Sequence, residues 1–402
     1  MTEPLRIVVI GLSLSSSWGN GHATTYRALL RALAKRGHEV TFLERDQPWY
    51  VRHRDLPDPD FCRLEFYRDR FELETFGDLI EDADAVIVGS YVAEGVPIGD
   101  WVQRIRTGVT AFYDIDTPVT LAKLARGDFE YLSPDLIPAF DPYLSFTGGP
   151  ALAILEQRYG SPAARVLYCT ADDELHRPRP IVPRFDLGYL GTYSPDRQPA
   201  LERLLIEPAR RAPELRFVVA GPQFPADIAW PPNVTRVEHV GPDDHAEFYA
   251  SCRFTLNVTR ADMARAGYSP SVRLFEAAAC ASPIISDRWA GIETLFTPGR
   301  EILLADRADD VLRALLEMSE QDRRALGAAT RVRLLRAHRA SRRAAELEEH
   351  LMEAMSRRRS EAMTPVSEIR PEAAEDSALT HRQGAGVRLR SGDPEPPRIS
   401  AA

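Results

Sequence analysis

Short apolar runs recur along the chain, and each is followed by a longer stretch with helical spacing. Residues 5–10 (LRIVVI) have the character of a buried strand, and the loop GLSLSSSWGNG over 11–21 follows. Tyr26, Leu29, Leu30 and Leu33 then share one face of a predicted helix that closes at Gly37. The same alternation predicts strands over 40–43, 84–89, 109–113, 143–146 and 165–168, with helices over 98–106, 118–125 and 151–159. Strands separated by helices predict parallel βαβ units with right-handed crossovers. The pattern lapses over 172–185 (DDELHRPRPIVPRF), where three prolines and few periodic apolar positions mark an interdomain connection. It resumes with strands expected over 187–190, 216–220, 254–258, 283–286 and 301–304.

From 309 to 358 the spacing is almost wholly helical. Arg331, Arg333, Arg336, Arg339, Arg342 and Arg343 form a basic run there, followed by Glu346, Glu348 and Glu349. Such a run reads as a solvated face with i,i+4 pairing, the other reading being a dock for an anionic acceptor or membrane. Residues 359–402 hold five prolines and no Phe, Tyr or Trp, too little apolar area to offset ordering entropy, so a disordered tail is expected. The organisation expected is an α/β chain of two Rossmann-like domains, 1–170 and 187–335, with a connection over 171–186 and a helix over 336–358. In open parallel sheets ligands sit beyond the carboxyl ends of the strands, which directs attention to the loops after residues 10, 113, 190, 258 and 286.

Composition narrows the chemistry. The 402 residues carry 59 acidic against 50 basic side chains, a formal net charge of −9. General nucleic-acid binding needs the opposite balance, although a local basic pocket remains compatible. Cys62, Cys169, Cys252 and Cys280 stand too far apart for a CxxC site, and the first apolar run is too short for a signal core or membrane span, so a reducing cytoplasm is expected.

The stretch GYSPSVRLFEAAACASPIISDRWAGIETLFTPGRE, 267–301, carries the most chemistry. Ser269 and Ser271 flank Pro270 ahead of an apolar helical pattern, so a helix N-terminus with exposed amides is predicted there, suited to a diphosphate. Arg273 lies in its first turn and Glu276 one turn on, where a carboxylate can accept hydrogen bonds from two neighbouring hydroxyls. The competing reading pairs Glu276 with Arg273. In the first half, His22 opens a helix whose dipole favours a neutral imidazole, either contacting a ligand or structural. Asp114 and Asp116 end a strand, facing a cleft or, for Asp116, capping the next helix. Arg45, Asp46, Trp49 and Tyr50 offer stacking and hydrogen bonds suited to a sugar, or plain surface packing.

The run LFEAAACASPIISDRWAGIETLF resembles the nucleotide-sugar signature of GT-B glycosyltransferases, close to glycosyltransferase family 4 and especially the CgeB-like (spore maturation protein) branch. YLGTYSPDR (189–197), VVAGP (218–222), VEHVGPDDHAEFYASCRFTLNVTR (237–260), YCTADDELHRP (168–178), FYDIDTP (112–118) and the stretch over 17–50 extend the similarity to roughly residues 5–345. The resemblance implies GT-B architecture, two Rossmann-like domains facing a cleft with a C-terminal helix crossing back. It implies metal-independent, retaining transfer of a hexosyl group from a nucleotide-diphosphate-sugar, with no other cofactor. Glu276 would hold the ribose, and Arg197 and Arg273 with the amides near Ser271 and Val272 the diphosphate. Thr192, Arg260, Ser269 and Gly291 would complete the donor site. Trp18, Asn20, His22, Asp46, Trp49, Asp114 and Asp116 would meet the acceptor, and His22, Asp116 and Arg273 would be catalytic. The partners implied are the nucleotide sugar and an acceptor glycan, protein or small molecule, with no nucleic acid and at most peripheral membrane contact. One position departs: family 4 has a glutamate eight residues before Glu276, and here it is Tyr268. A nucleotide-sugar sensor with altered catalysis is therefore the alternative. A nicotinamide dehydrogenase is disfavoured, because no GxGxxG turn precedes an acidic residue about 20 positions on.

Overall fold

The computed structural model describes residues 3–19 and 21–363. The first seven strands, β1 (Arg6–Gly11), β2 (Glu39–Arg45), β3 (Arg63–Tyr67), β4 (Ala85–Gly89), β5 (Val109–Asp114), β6 (Tyr143–Ser145) and β7 (Ala164–Val166), form one parallel sheet ordered β3-β2-β1-β4-β5-β6-β7. The next six, β8 (Phe185–Leu190), β9 (Phe217–Ala220), β10 (Val234–Val237), β11 (Cys252–Asn257), β12 (Ile284–Ser286) and β13 (Leu303–Leu304), form a second, ordered β10-β9-β8-β11-β12-β13. Central strands β4 and β5 are buried along their whole length, so their runs are mostly apolar rather than alternating, with Thr110 and Asp114 the buried polar positions of β5. Strand order reverses between β1 and β4 and again between β8 and β11, which puts one ligand-binding crevice at the head of each sheet.

The expected strands are present within a few residues of their predicted ends. Two more, β3 and β10, are sheet edges whose residues are mostly half-buried or exposed, so the apolar signal that marks a strand is weak in RLEFY and VTRV. Residues 167–184 hold no helix or strand, as the proline-rich sequence implied.

Beyond β13 the helices Ala308–Glu317, Glu320–Ala337 and Ala340–Met363 follow. The last starts at 340 rather than 336 and runs to 363, so residues 359–363 are helical and not part of a tail. The rest of the expected tail lies outside the described residues. Ala344, Leu347, Leu351 and Ala354, spaced three or four apart, form a buried stripe on this closing helix. It packs on the first helix of the chain, His22–Lys35, and Glu348 pairs with Arg36 just beyond the end of that helix. Glu353 pairs with Arg165 at 2.7 Å and Arg357 donates to the Asp141 carbonyl at 2.6 Å, so the chain crosses back to the first sheet.

The basic run divides: Arg336, Arg339 and Arg342 are exposed, with Arg342 in the expected i,i+4 pair, while Arg331, Arg333 and Arg343 are half-buried or buried. Arg331 donates to the Ala279 carbonyl, Arg333 to those of Leu295 and Thr294, and Arg339 pairs with Asp173. Arg342 and Arg343 both pair with Glu346.

The two sheets share one continuous apolar core, in which Val9 and Tyr113 connect with Leu274, Phe275 and Leu347. Polar contacts also cross between them. Thr147 Oγ1 meets Ser269 Oγ at 2.8 Å, and the Gly148 amide donates to the Tyr268 carbonyl at 2.9 Å. The Tyr268 ring lies between Gly149 of the first half and Gly291 of the second, where a Cβ on either glycine would strike it. Both glycines have positive φ, as has Tyr268 itself at 51°.

Candidate functional site

The helix Val272–Ala279 is buried at every position, and its run of alanines lets it lie close on β11 and β12. Ser271 precedes it in extended conformation, but its hydroxyl donates to Asn257 Oδ1 at 2.7 Å and does not cap the helix. The positive end of the helix therefore opens on a cleft that Val272, Arg273 and Glu276 line. Arg273 is 3% exposed. Its Nε donates to the Leu190 carbonyl, its Nη1 to Asn257 Oδ1 at 3.1 Å, and its guanidinium stacks 4.6 Å over the Tyr189 ring. These acceptors are neutral, which leaves the positive charge for an anion. Arg197 is buried beside it, where burial and the guanidiniums of Arg273 and Arg260 lower its pKa. Arg273 and Arg197, two like charges gathered in a desolvated place, favour an anionic guest.

Glu276 does not pair with Arg273. Tyr249 donates to its Oε2 at 2.7 Å, while His245 Nδ1 stands 3.4 Å and His176 Nε2 3.8 Å from its Oε1. Burial alone would raise this carboxyl, but His245, His176 and the Tyr249 hydroxyl outweigh it and hold the group well below the usual carboxylate range. His245 responds in the opposite sense: burial lowers it, the Glu276 charge overrides, and its pKa rises. For His176 burial prevails and the pKa falls.

The rest of the cleft comes from loops at the heads of both sheets. Leu190 ends β8 and Gly191 and Thr192 follow it, Gly221 and Pro222 follow β9, and His239, Val240 and His245 follow β10. Opposite them stand Ser17, Gly19 and Gly21 of the loop after β1 and Thr24 of the helix His22–Lys35 that follows it. Glu44, fully buried at the end of β2, fixes that loop. Its carboxylate accepts from the amides of Leu14 and Ser15 at 2.6 and 2.8 Å and from the hydroxyls of Ser13 and Ser15 at 3.1 and 2.6 Å. Trp18 in the same loop stacks on His53, with ring centroids 4.7 Å apart.

Residues 197–349 match the family model described as glycosyl transferase-like. No curated protein sequence matches the chain. Among solved structures, sucrose-phosphate synthase from Thermosynechococcus elongatus aligns over 89% of this chain and 100% of its own, at 15% identity and TM-score 0.62. Anabaena HepE in complex with UDP-glucose aligns over 87% and 100%, at 11% identity and TM-score 0.62. T4 phage β-glucosyltransferase aligns over 87% and 99%, at 11% identity and TM-score 0.59. The fold is GT-B.

Within this GT-B cleft the expected donor residues divide. Thr192, Val272, Arg273 and Glu276 line it, with Arg197 buried behind. Ser269 is turned to Thr147 in the contact between halves, and Gly291 faces the Tyr268 ring; neither is among the lining residues. Arg260 spans the halves instead, its Nη1 2.9 Å from Asp116 Oδ2 and its Nε 3.6 Å from Asp196.

The expected acceptor residues are more scattered. Asp116 begins a helix without capping it, since Arg260 and the Tyr91 hydroxyl, at 2.9 Å each, take its Oδ2. Burial raises its pKa and Arg260 offsets only part. Asp114 is fully buried and accepts from Tyr143, from Thr120 at 2.9 Å and from the Asp116 amide at 3.1 Å, so it orders the strand end and does not face the cleft. Burial pushes it up to about 6. His22 is buried near Tyr91, and burial first, then the Arg260 charge, lowers it to about 3; the helix dipole is not the main cause. The imidazole is therefore neutral in this setting. Asp46 pairs with Arg54 at 2.6 Å and Trp49 packs on Tyr50, away from the lining. Asn20 lies outside the described residues.

Sequence reading passed over His176, His245, Tyr249 and Glu44. All four sat inside stretches that carry the family resemblance, but no spacing links His176, His245 and Tyr249 to Glu276, which only the fold brings near.

Proposed function

We propose that the chain is a glycosyltransferase of CgeB-like type that moves a hexosyl group from a nucleoside-diphosphate donor to an acceptor hydroxyl. One observation carries this reading: an ionised Glu276, one turn along a helix from Arg273, whose charge is unspent, at the amide end that opens into the cleft. The ribose diol donates to Glu276 while the diphosphate lies between Arg273, Arg197 and the helix N-terminus. As the bond from anomeric carbon to phosphate oxygen breaks, negative charge grows on the diphosphate, and these preorganised groups stabilise it without a metal on the phosphates. The acceptor oxygen bonds to the anomeric carbon and its proton passes to the departing phosphate oxygen. Among the described lining residues Glu276 is the single carboxylate, which favours this same-face transfer and hence retention. The solved relatives include one described with UDP-glucose, which supports a nucleotide-sugar donor, and a glycan, protein or small molecule is the acceptor we favour. No described helix is long and apolar enough to cross a membrane; we place the enzyme in the cytoplasm.

Tyr268 favours a second reading, a donor-binding sensor without turnover, because the side chain at the family glutamate's position is wedged between Gly149 and Gly291. Uridine, guanosine and adenosine diphosphate sugars, screened by thermal shift and then by mass spectrometry for freed nucleotide in the presence of chelator, separate the two. Binding with release is expected. Binding with no release over long incubation identifies a sensor, and no binding overturns both.

A further inference from the structure

The cluster behind the cleft floor has an electronic peculiarity. His176 Nδ1 lies 3.1 Å from the Asp172 carbonyl, to which it donates, so the lone pair of that imidazole sits on Nε2. That Nε2 points at Glu276 Oε1 from 3.8 Å, and His245 Nδ1 points at the same oxygen from 3.4 Å. His176 Nε2 has no hydrogen-bond partner among the described residues and its side chain is 4% exposed, whereas His245 is drawn to the Glu276 charge. A carboxylate oxygen and an imidazole lone pair facing each other without a hydrogen between them repel. A cation placed among them would turn that repulsion into ligation.

We propose that His176 Nε2, His245 Nδ1 and Glu276 Oε1 form a binding site for one transition-metal dication of the zinc class, whose occupancy competes with capture of the donor ribose. The three ligand atoms lie within 4.8 Å of one another. Two ligands on a tetrahedral zinc, each about 2.1 Å from the metal, stand roughly 3.4 Å apart, so closure needs only small side-chain shifts. Two imidazoles and one carboxylate are the donor types that zinc, cobalt and nickel accept. The outer partners are also present: the Asp172 carbonyl orients His176, a hydrogen bond to the Val240 backbone holds His245, and Tyr249 fixes the second oxygen of Glu276. His176 belongs to the connection between the halves, His245 begins a short helix after β10, and Glu276 lies on the cleft helix. A bound ion would therefore tie the hinge to the donor pocket. It would also draw on the carboxylate that the ribose needs, which makes the metal an inhibitor and leaves turnover independent of it. The competition rests on the ribose role of Glu276; the site itself does not.

The test uses the full chain stripped with chelator and titrated with Co²⁺, read by visible ligand-field absorption and calorimetry, alone and with saturating UDP. One Co²⁺ per chain is expected, weakened about tenfold or more in each of His176→Gln and His245→Gln, with apo circular dichroism unchanged. UDP should weaken it likewise. Lack of saturable absorption in the wild-type chain overturns the site, as does unchanged affinity in both variants; a protonated His245 paired with Glu276 would then explain the cluster. Co²⁺ affinity indifferent to bound UDP overturns the competition, and the ribose role of Glu276 falls with it.

Discussion

Arg273 is held by two carbonyls, one amide oxygen and one aromatic ring, a set of partners that positions a guanidinium without cancelling its charge. If that charge meets the leaving diphosphate, Arg273→Ala should lower turnover by about 10²–10³-fold while donor binding changes less. Steady-state kinetics with wild-type kcat would remove it from that role. His338 illustrates a different use of a buried polar group. It accepts from Arg343 at Nδ1, at 2.7 Å, and its Nε2 lies 3.2 Å from the Leu295 carbonyl. Burial and the Arg343 charge hold it at about 3. A base with a folded pKa below its unfolded value stabilises the fold above about pH 6.5 and loses that contribution as pH falls toward 3. Urea unfolding should accordingly show stability dropping from pH 7 to pH 5, with a shallower drop in His338→Asn; equal slopes would contradict it. Arg273 and Glu276 were legible in the sequence because both fall within one helical turn. His176 and His245 were not, being separated from Glu276 by long stretches of chain that only the second sheet folds together.

The element that turns two Rossmann-like halves into one body is the closing helix. Leu351, fully buried in its apolar stripe, faces the first half from a helix that leaves the second. Leu351→Ala should cost about 2–5 kcal/mol of stability by urea denaturation. A cost below about 0.5 kcal/mol, the usual size for a surface position, would mean that the helix does not dock as described. Periodicity marked this helix as well as the central strands, whose burial on both faces leaves a mostly apolar signature. It missed β3 and β10, since an edge strand hides little area, and it placed the helix end early, because polar residues after 358 still propagate the helix. Of the six arginines read as a solvated face, Arg336, Arg339 and Arg342 are exposed as expected, while Arg331 and Arg333 serve backbone carbonyls, a distinction that composition does not encode.

Over the whole molecule a net charge of −9 contrasts with a cleft wall that holds the buried Arg273, with Arg197 behind it. The halves are joined across that cleft by Arg260 and Asp116, both almost fully buried. Asp116→Ala would strand a buried guanidinium and should destabilise the chain by about 3–5 kcal/mol while widening the cleft. Small-angle scattering reads the second effect as a larger radius of gyration, and an unchanged radius with unchanged stability would refute the bridge. The wedge of Tyr268 between two glycines belongs to the same seam. It accounts for a tyrosine where a glutamate is expected, since the position here joins the halves. The central claim is that this cleft captures a nucleotide sugar through Glu276. Calorimetric titration of the uridine, guanosine and adenosine diphosphate sugars into wild-type and Glu276→Ala protein tests it most directly. The account predicts saturable binding of at least one donor, weakened by about tenfold or more in the variant, the loss expected for hydrogen bonds to a charged group. No binding by any donor, or equal affinity in the two proteins, would contradict it.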